Sequence, residues 1–365
     1  MMILTIFSET LLYLCFSILI GAFLLSLITN SHKPDIKVPK GVMMASIGGI
    51  AIFSFVPLLS LIFHLYEDLG FLTTFHSVLF TFEVGKAWIF TYIVANFLFI
   101  FVVWIDYRKN PFYAMIGLSI TLLLLLALGW ASHASSLDQW KGFLTHTAHF
   151  TAVCVWVGVL IVTSWFSINH SNWSSFLRWF RPLAMICFTA TVLSGLVLMS
   201  LVVEFKEYPT SWSISYGQAL LIKHLLVIPL IAYAFINSFL IRKRLQLDST
   251  YNPIIWTRAE SIVVLLIFSV TAALGQQSPP HDIALTIRTE GVSSLFSSIY
   301  RGNIYPDFIV QFSLNVMSLS FFALSFVFLA LIILSYVKKL SVIVSFYMCF
   351  LFVVSGYLAL ILSLQ

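Results

Sequence analysis

The feature that most constrains this chain is a series of long apolar runs separated by short polar or aromatic segments. A helix needs about 20 predominantly apolar residues to cross a bilayer, and membrane β-strands would instead be short and alternate in hydrophobicity. The sequence therefore predicts an all-α, polytopic transmembrane helical bundle of about ten spans. We place these spans at roughly 7–30, 42–64, 88–106, 112–131, 142–168, 180–203, 217–240, 256–275, 309–336 and 340–363.

The composition excludes several other classes of protein. Hydrophobic residues make up 60% of the chain and charged residues 9%, whereas soluble domains average about 45–50% and about 25%. A water-soluble globule, a disordered chain and a nucleic-acid binder are therefore excluded. All four cysteines lie inside apolar runs, which argues against a secreted disulfide scaffold.

The basic residues indicate how the spans are oriented. Of the 19 Lys and Arg residues, 13 fall in one set of alternating loops and five in the other, while Lys223 lies within a span. Cytoplasmic loops are enriched in Lys and Arg. We therefore expect a multi-pass protein of the cell membrane with the basic loops in the cytoplasm and both termini outside.

A pair of histidines on the fifth span is the strongest candidate for a functional site. His146 and His149 are three residues apart, and residues with this spacing share one face of a helix. Imidazoles are costly within a membrane and seldom face lipid. The pair is interpreted as metal or haem ligands, and the alternative is that both rings only form hydrogen bonds between helices.

Two more histidines extend this hypothesis. His224 lies about two turns into the seventh span beside Lys223, for which Glu204 is a candidate ion-pair partner. His133, at the outer end of the fourth span, is positioned to receive ions and pass them to the pair. His64, Glu67, Asp68 and His76 form either an outer antechamber for ions or ordinary loops, and His281 also lies in an outer loop.

The chemistry of the available side chains narrows the choice of ligand. Imidazole suits copper, zinc, iron and nickel. Cys154 points about 140° away from His149 on an ideal helix, so we interpret it as a packing residue. Carboxylates within the predicted spans are nearly absent, which argues against calcium, magnesium or a proton-coupled acidic site. No Walker loop, nucleophile elbow or HExxH motif is present, so an enzyme is not expected.

Several short motifs between residues 80 and 280 resemble the CopD family of copper-resistance membrane proteins, and they occur in the order typical of that family. They are residues 85–88 (GKAW), 129–134 (GWASHA), His149 with 155–158 (VWVG), 181–184 (RPLA) with 194–196 (SGL), 216–223 (YGQALLIK) with Asn237, and 258–260 (RAE) with 271–274 (TAAL) and 279–280 (PP).

The resemblance implies a membrane protein that transports copper, most simply by uptake, with the copper ion bound as a substrate and a separate CopC-like extracytoplasmic protein as a candidate partner. His146, His149, His224 and His133 are the candidate metal ligands. Two other functions stay open. One is a haem-binding electron-transfer protein that uses His149 and His224, and the other is an assembly factor that delivers copper to an oxidase.

The predicted spans and the extent of the resemblance together give four segments, of which the two C-terminal spans depart from the family pattern. The four segments are N-terminal transmembrane helices in 1–80, a CopD-like transmembrane core in 81–280, an outer loop in 281–308 and two C-terminal transmembrane helices in 309–365. Within the loop, 283–299 mixes apolar and polar residues, so part of it is expected to form a helix on the membrane surface.

Overall fold

The computed structural model describes residues 1–280, 282–302, 305 and 310–364. Ten of its helices are long and apolar enough to cross a membrane, which confirms the predicted all-α bundle and a multi-pass membrane protein. They are α1 Met2–Leu27, α2 Lys40–Asp68, α3 Glu83–Trp104, α4 Pro111–Trp130, α5 Gln139–Phe166, α6 Trp173–Ser200, α7 Ser215–Leu247, α8 Ile254–Gly275, α9 Val316–Val337 and α10 Val342–Leu362.

Short helices occupy several of the connections. They are Asn30–His32, Phe71–Phe80, His133–Leu137, Phe205–Glu207, Tyr208–Ser211, Ile283–Glu290 and Ser294–Ser297. No β-strand occurs in the described part of the chain, where only two isolated bridges join Ile36 to Ser167 and Phe312 to Leu364.

Two of the long helices contain irregular turns. The helical geometry of α2 is interrupted at Ser54, three residues before Pro57. Because a proline ring clashes with the carbonyl four residues earlier, it disfavours a regular helix there. In contrast, α7 continues through Pro229 and is interrupted only by a π-helical turn at Ile236–Leu240.

The described residues divide into two compact units. The N-terminal unit, Met1–Leu201, contains α1 to α6, and the C-terminal unit, Val202–Gln365, contains α7 to α10. Within the N-terminal unit, α1 packs against α2, α4 and α5, and α5 packs in turn against α6. These neighbours cover one side of α1 closely, and its side chains Phe16, Leu19, Ile20 and Phe23 are at most 1% exposed.

The crossing of α1 and α5 depends on two glycines. A Cβ atom on Gly158 would lie 2.2 Å from the backbone oxygen of Ser17, and one on Gly21 would lie 2.1 Å from the oxygen of Gly158. Only residues without a side chain permit such an approach of two backbones. Cys154 is fully buried on this side of α5, with its Sγ 3.9 Å from the Ser17 Oγ, so it lies in the packed helix contact.

Two loops of the N-terminal unit are joined by backbone hydrogen bonds. The Lys37 N–H donates to the Phe166 oxygen at 3.0 Å, and the Ile168 N–H donates to the Asp35 oxygen at 2.8 Å. The α1–α2 and α5–α6 loops must therefore lie on the same side of a membrane. The distribution of basic residues predicts the same arrangement and assigns this side to the cytoplasm.

In the C-terminal unit, α7 packs against α8, α9 and α10, and α9 forms a hairpin with α10. The helix Ile283–Glu290 occurs within the predicted outer segment, but Ile283 and Ile287 pack against Ile214. Phe296, further along, is fully buried in a cluster with Trp212 and neighbouring residues. The expected membrane-surface location is therefore not observed for these side chains, because protein covers them.

The ninth span begins later than the sequence predicts. Helix α9 starts at Val316, where the side chain of Asn315 accepts a hydrogen bond from the Ser318 N–H at 2.9 Å and forms a capping box. Capping satisfies backbone donors that would otherwise lack partners at a helix start. The predicted start at residue 309 lies outside the described residues.

Candidate metal centre

His149 forms a hydrogen bond between two helices of the N-terminal unit. Its Nδ1 lies 3.1 Å from the Oγ of Ser194 on α6. The Ser194 hydroxyl donates its single hydrogen to the Ala190 carbonyl at 2.6 Å. With that hydrogen engaged, Ser194 accepts from His149, and on this hydrogen-bond pattern we assign the proton of the neutral imidazole to Nδ1. The lone pair of the ring is then on Nε2, the form in which an imidazole binds a metal.

Gly195 allows this contact to form. A Cβ atom at Gly195 would lie 3.3 Å from the His149 Cε1 and 3.6 Å from its Nδ1. A side chain here would press on the imidazole or shift the helix. In the sequence, Ser194 and Gly195 are only parts of a motif. In the structure, Ser194 forms a hydrogen bond with the His149 ring and Gly195 leaves space for that ring.

His146 lies one turn before His149 on α5 and is half-buried. Its ring is 6.4 Å from that of Phe150, which packs edge-on against Tyr13 of α1 at 5.2 Å. The Tyr13 hydroxyl in turn lies 3.5 Å from the Oε2 of Glu9. These contacts bring α1 and the first turns of α5 together and place a carboxylate within the first span.

Two carboxylates lie more than one turn inside the long helices of the described chain, Glu9 in α1 and Glu260 in α8. Both positions also fall inside the predicted spans 7–30 and 256–275. Each is only about two turns from the end of its helix, where a carboxylate is difficult to assign to membrane or water from sequence alone.

His133 is the first residue of the short helix His133–Leu137, which precedes α5 in the N-terminal unit. Its side chain is exposed. The helix is capped by Ser132, whose side chain accepts from the Ser135 N–H at 3.3 Å. His64 and His76 are also exposed in this unit, and His281 lies outside the described residues.

His224 belongs to the C-terminal unit, where its Nδ1 lies 2.6 Å from the hydroxyl of Tyr208. Burial raises the pKa of Tyr208 to about 12, so the phenol keeps its proton. This hydroxyl has no other acceptor among the described residues, so we assign it as the donor to Nδ1 and place the proton of the neutral His224 ring on Nε2. His224 therefore has to give up its Tyr208 hydrogen bond, or lose the Nε2 proton, before it can bind a metal.

The suggested pairing of Lys223 with Glu204 is wrong. The Glu204 carboxylate pairs with Lys206 at 2.8 Å in the segment before α7. A partner two residues away is available at much smaller entropic cost than a lysine on another element. Lys223 is half-buried within α7.

Within the described residues, no group of three or more His, Cys, Asp or Glu side chains is arranged to hold a metal ion. His146 and His149 share a helix face in one unit, and His224 lies in the other unit. On one helix of the N-terminal unit, the predicted ligands are therefore the two imidazoles of His146 and His149 on α5.

Comparison with known protein families assigns the chain to a family. Residues 174–274 match the family model described as Copper resistance protein D, and residues 1–143 match the one described as Copper resistance protein D-like, N-terminal domain. The chain belongs to the CopD copper-resistance family. The predicted resemblance is confirmed, and it extends beyond residues 80–280 to residue 1.

The two CopD-family matches cover the candidate ligands unequally. His133 lies within the N-terminal match and His224 within the other, whereas His146 and His149 fall between the two matched ranges. Ser194 and Gly195, which contact His149, are inside the CopD match. No curated protein and no solved structure matches the chain. Family membership therefore establishes a copper-resistance membrane protein without identifying the ligands.

Proposed function

We propose that this CopD-family protein transports copper inward across the cell membrane and that it is a transporter rather than an enzyme. His146 and His149, at the end of α5 that the basic residues assign to the outside, bind the ion as a substrate. The observation that carries the proposal is the hydrogen-bond chain from His149 to Ser194 and Ala190, which leaves the lone pair on Nε2.

The exposed His133 precedes this site along the chain and captures copper from the outer solution or from a CopC-like protein. His224 is an alternative ligand that requires release from Tyr208. A site with few protein ligands suits transport, because an ion must leave the site as well as enter it. Inward movement of a cation gains about 2.3 kcal/mol per charge per 100 mV of membrane potential.

The decisive experiment compares two double variants. His146→Ala with His149→Ala removes the proposed ligands, whereas His32→Ala with His170→Ala removes two histidines from loops assigned to the inner side. Each purified variant is incubated with copper and its bound metal is measured, and each is reconstituted in liposomes that contain a copper-sensitive dye. We expect loss of bound copper and of influx in the first variant only.

The same experiment can reject the proposal. Interhelical hydrogen bonds in membranes average about 0.6 kcal/mol, so losing two should not unfold the bundle. If the His146/His149 variant is folded and transports copper at the wild-type rate, the pair is not the binding site. If the purified wild type instead shows a haem absorption band that this variant lacks, the site binds haem.

A further inference from the structure

A second polar site lies in the C-terminal unit and contains none of the proposed copper ligands. Glu260 of α8 is 6% exposed and Asn237 of α7 is 5% exposed. The Asn237 Nδ2 donates to the Glu260 Oε2 at 2.7 Å and to the Trp256 carbonyl at 3.1 Å. Asn237 is part of the π-helical turn Ile236–Leu240, and such turns inserted in α-helices are frequent at functional sites.

Among the described residues, no ion pair involves the Glu260 carboxyl. The Asn237 amide is its hydrogen-bond partner, and the ion pairs found there involve other acids. Arg258 lies two residues before Glu260, about 200° away around an ideal helix. An ionised carboxylate that is buried without a counter-charge is strongly disfavoured.

The helices that pack against α8 also supply neutral groups. The Tyr233 ring of α7 lies 6.3 Å from that of Trp256 in a tilted orientation, and its hydroxyl shares a hydrogen bond with Ser345 of α10. The Tyr336 ring of α9 packs edge-on against Trp256 at 5.1 Å. Arg244 lies over the ring of Tyr251 at 3.9 Å and is 5.9 Å from the ring of Tyr336.

The side-chain oxygen of Asn237 receives no hydrogen bond from the described residues. This oxygen, Oδ1, is buried. Exchanging the amide oxygen and nitrogen would place an oxygen against the Trp256 carbonyl, so the observed orientation is the favourable one. An ionised carboxylate offers only acceptors, whereas a protonated one carries an O–H donor. A proton on Glu260 thus removes the uncompensated charge and supplies a donor in the same polar pair.

From this geometry we infer that Glu260 and Asn237 form a proton-binding site in the C-terminal unit, with the carboxyl protonated and hydrogen-bonded to the amide. The ligand is a proton rather than a metal ion for two reasons. Carboxyl and amide oxygens are poor ligands for copper compared with nitrogen and sulfur, and the described residues contain no group of three His, Cys, Asp or Glu side chains that could hold a metal ion. On release, the proton passes from the carboxyl oxygen to water and leaves the carboxylate.

Infrared spectroscopy of the full-length protein in lipid, without copper, tests this inference independently of the proposed transport. We expect the wild type at neutral pH to show the C=O stretch of one protonated carboxyl that is lost in Glu260→Gln. Glu9→Gln, which changes the other carboxylate of the spans, should retain this band. Asn237→Ala should shift the band, because it removes the hydrogen bond donated to the carboxyl.

Identical wild-type and Glu260→Gln spectra in this region would overturn the inference, because Glu260 would then be ionised. If Glu260→Gln does not fold, Asn237→Ala decides the matter, and a band at its wild-type position in that variant also overturns the inference. A purely structural hydrogen bond between ionised Glu260 and Asn237 predicts no protonated-carboxyl band in either protein.

Discussion

The two units of the chain hold histidines in opposite hydrogen-bond roles. In the N-terminal unit, Ser194 accepts from the His149 Nδ1–H and leaves the lone pair on Nε2. In the C-terminal unit, the Tyr208 hydroxyl is assigned as the donor to the His224 Nδ1, which places the ring proton on Nε2. A histidine within a membrane helix is therefore insufficient to identify a metal ligand, since its partner decides which ring nitrogen can bind.

The carboxyl groups of the two units differ in a similar way. Asp106, in the loop between α3 and α4, pairs with Arg108 at 2.9 Å near water. Glu260 is buried against an uncharged amide. In the N-terminal unit, the hydrogen bond to Ser194 leaves the His149 Nε2 suited to bind a metal ion. In the C-terminal unit, the uncharged surroundings of Glu260 favour a protonated carboxyl. Variants of each unit can test this division.

The largest effect is expected when the α1–α5 crossing is broken. Gly158→Leu places a side chain where even a Cβ would lie 2.2 Å from the Ser17 oxygen. Overpacking typically costs about 1–3 kcal/mol, and a clash with backbone cannot be relieved by a rotamer change, so we expect loss of most of the folded protein. Size-exclusion chromatography and thermal unfolding in detergent measure this loss.

Gly48→Leu in α2 is the matched control, because no atom lies within 4 Å of a Cβ built at Gly48. It should fold as the wild type does. Equal yields and melting temperatures for both leucine variants would show that the close crossing of α1 and α5 does not determine the N-terminal unit.

Removing the hydroxyl that orients His149 should have the next largest effect. Changing the partner of a metal-binding histidine typically lowers metal affinity by about 10–100-fold, and we expect Ser194→Ala to do so for copper. Ser200→Ala is the control on the same helix, because within the described part of the chain the Ser200 hydroxyl bonds to the Val197 carbonyl of its own helix, at 2.7 Å. Titration of both purified variants with copper measures the affinities. An unchanged affinity in Ser194→Ala would remove the proposed distinction between His149 and His224.

The sequence predicts the fold well because long apolar runs depend little on tertiary context. Ten spans and the family are confirmed. It predicts the site less completely. His146 and His149 follow from helical spacing, but the hydrogen bond to Ser194 joins residues 45 positions apart. Glu260 and Asn237 each belong to a quoted motif, and their pairing appears only when α7 and α8 pack together.

A smaller effect is expected from Tyr208→Phe in the C-terminal unit. This change removes the donor to the His224 Nδ1 and should cost about 0.5–1.5 kcal/mol of stability, as one hydrogen bond does. Because His149 rather than His224 is the proposed ligand, copper affinity should stay within about twofold of the wild type, a free-energy difference well below 1.4 kcal/mol. Copper titration and thermal unfolding of the same sample separate the two effects. A tenfold change in affinity would make His224 part of the copper site.

The smallest effect concerns the exposed carboxyl of the N-terminal unit. The hydrogen bond from Arg108 holds the pKa of Asp106 below its ordinary value of 3.8. Folding therefore favours the ionised form, so this contribution is present above about pH 4 and is lost as the pH falls through the lower pKa of the folded state. Because solvent screens the pair, it should be worth less than about 1 kcal/mol. Unfolding midpoints of the wild type and Asp106→Asn should differ slightly at neutral pH and converge in acid. A difference that is independent of pH would show that Asp106 stabilises the loop by its shape rather than by its charge.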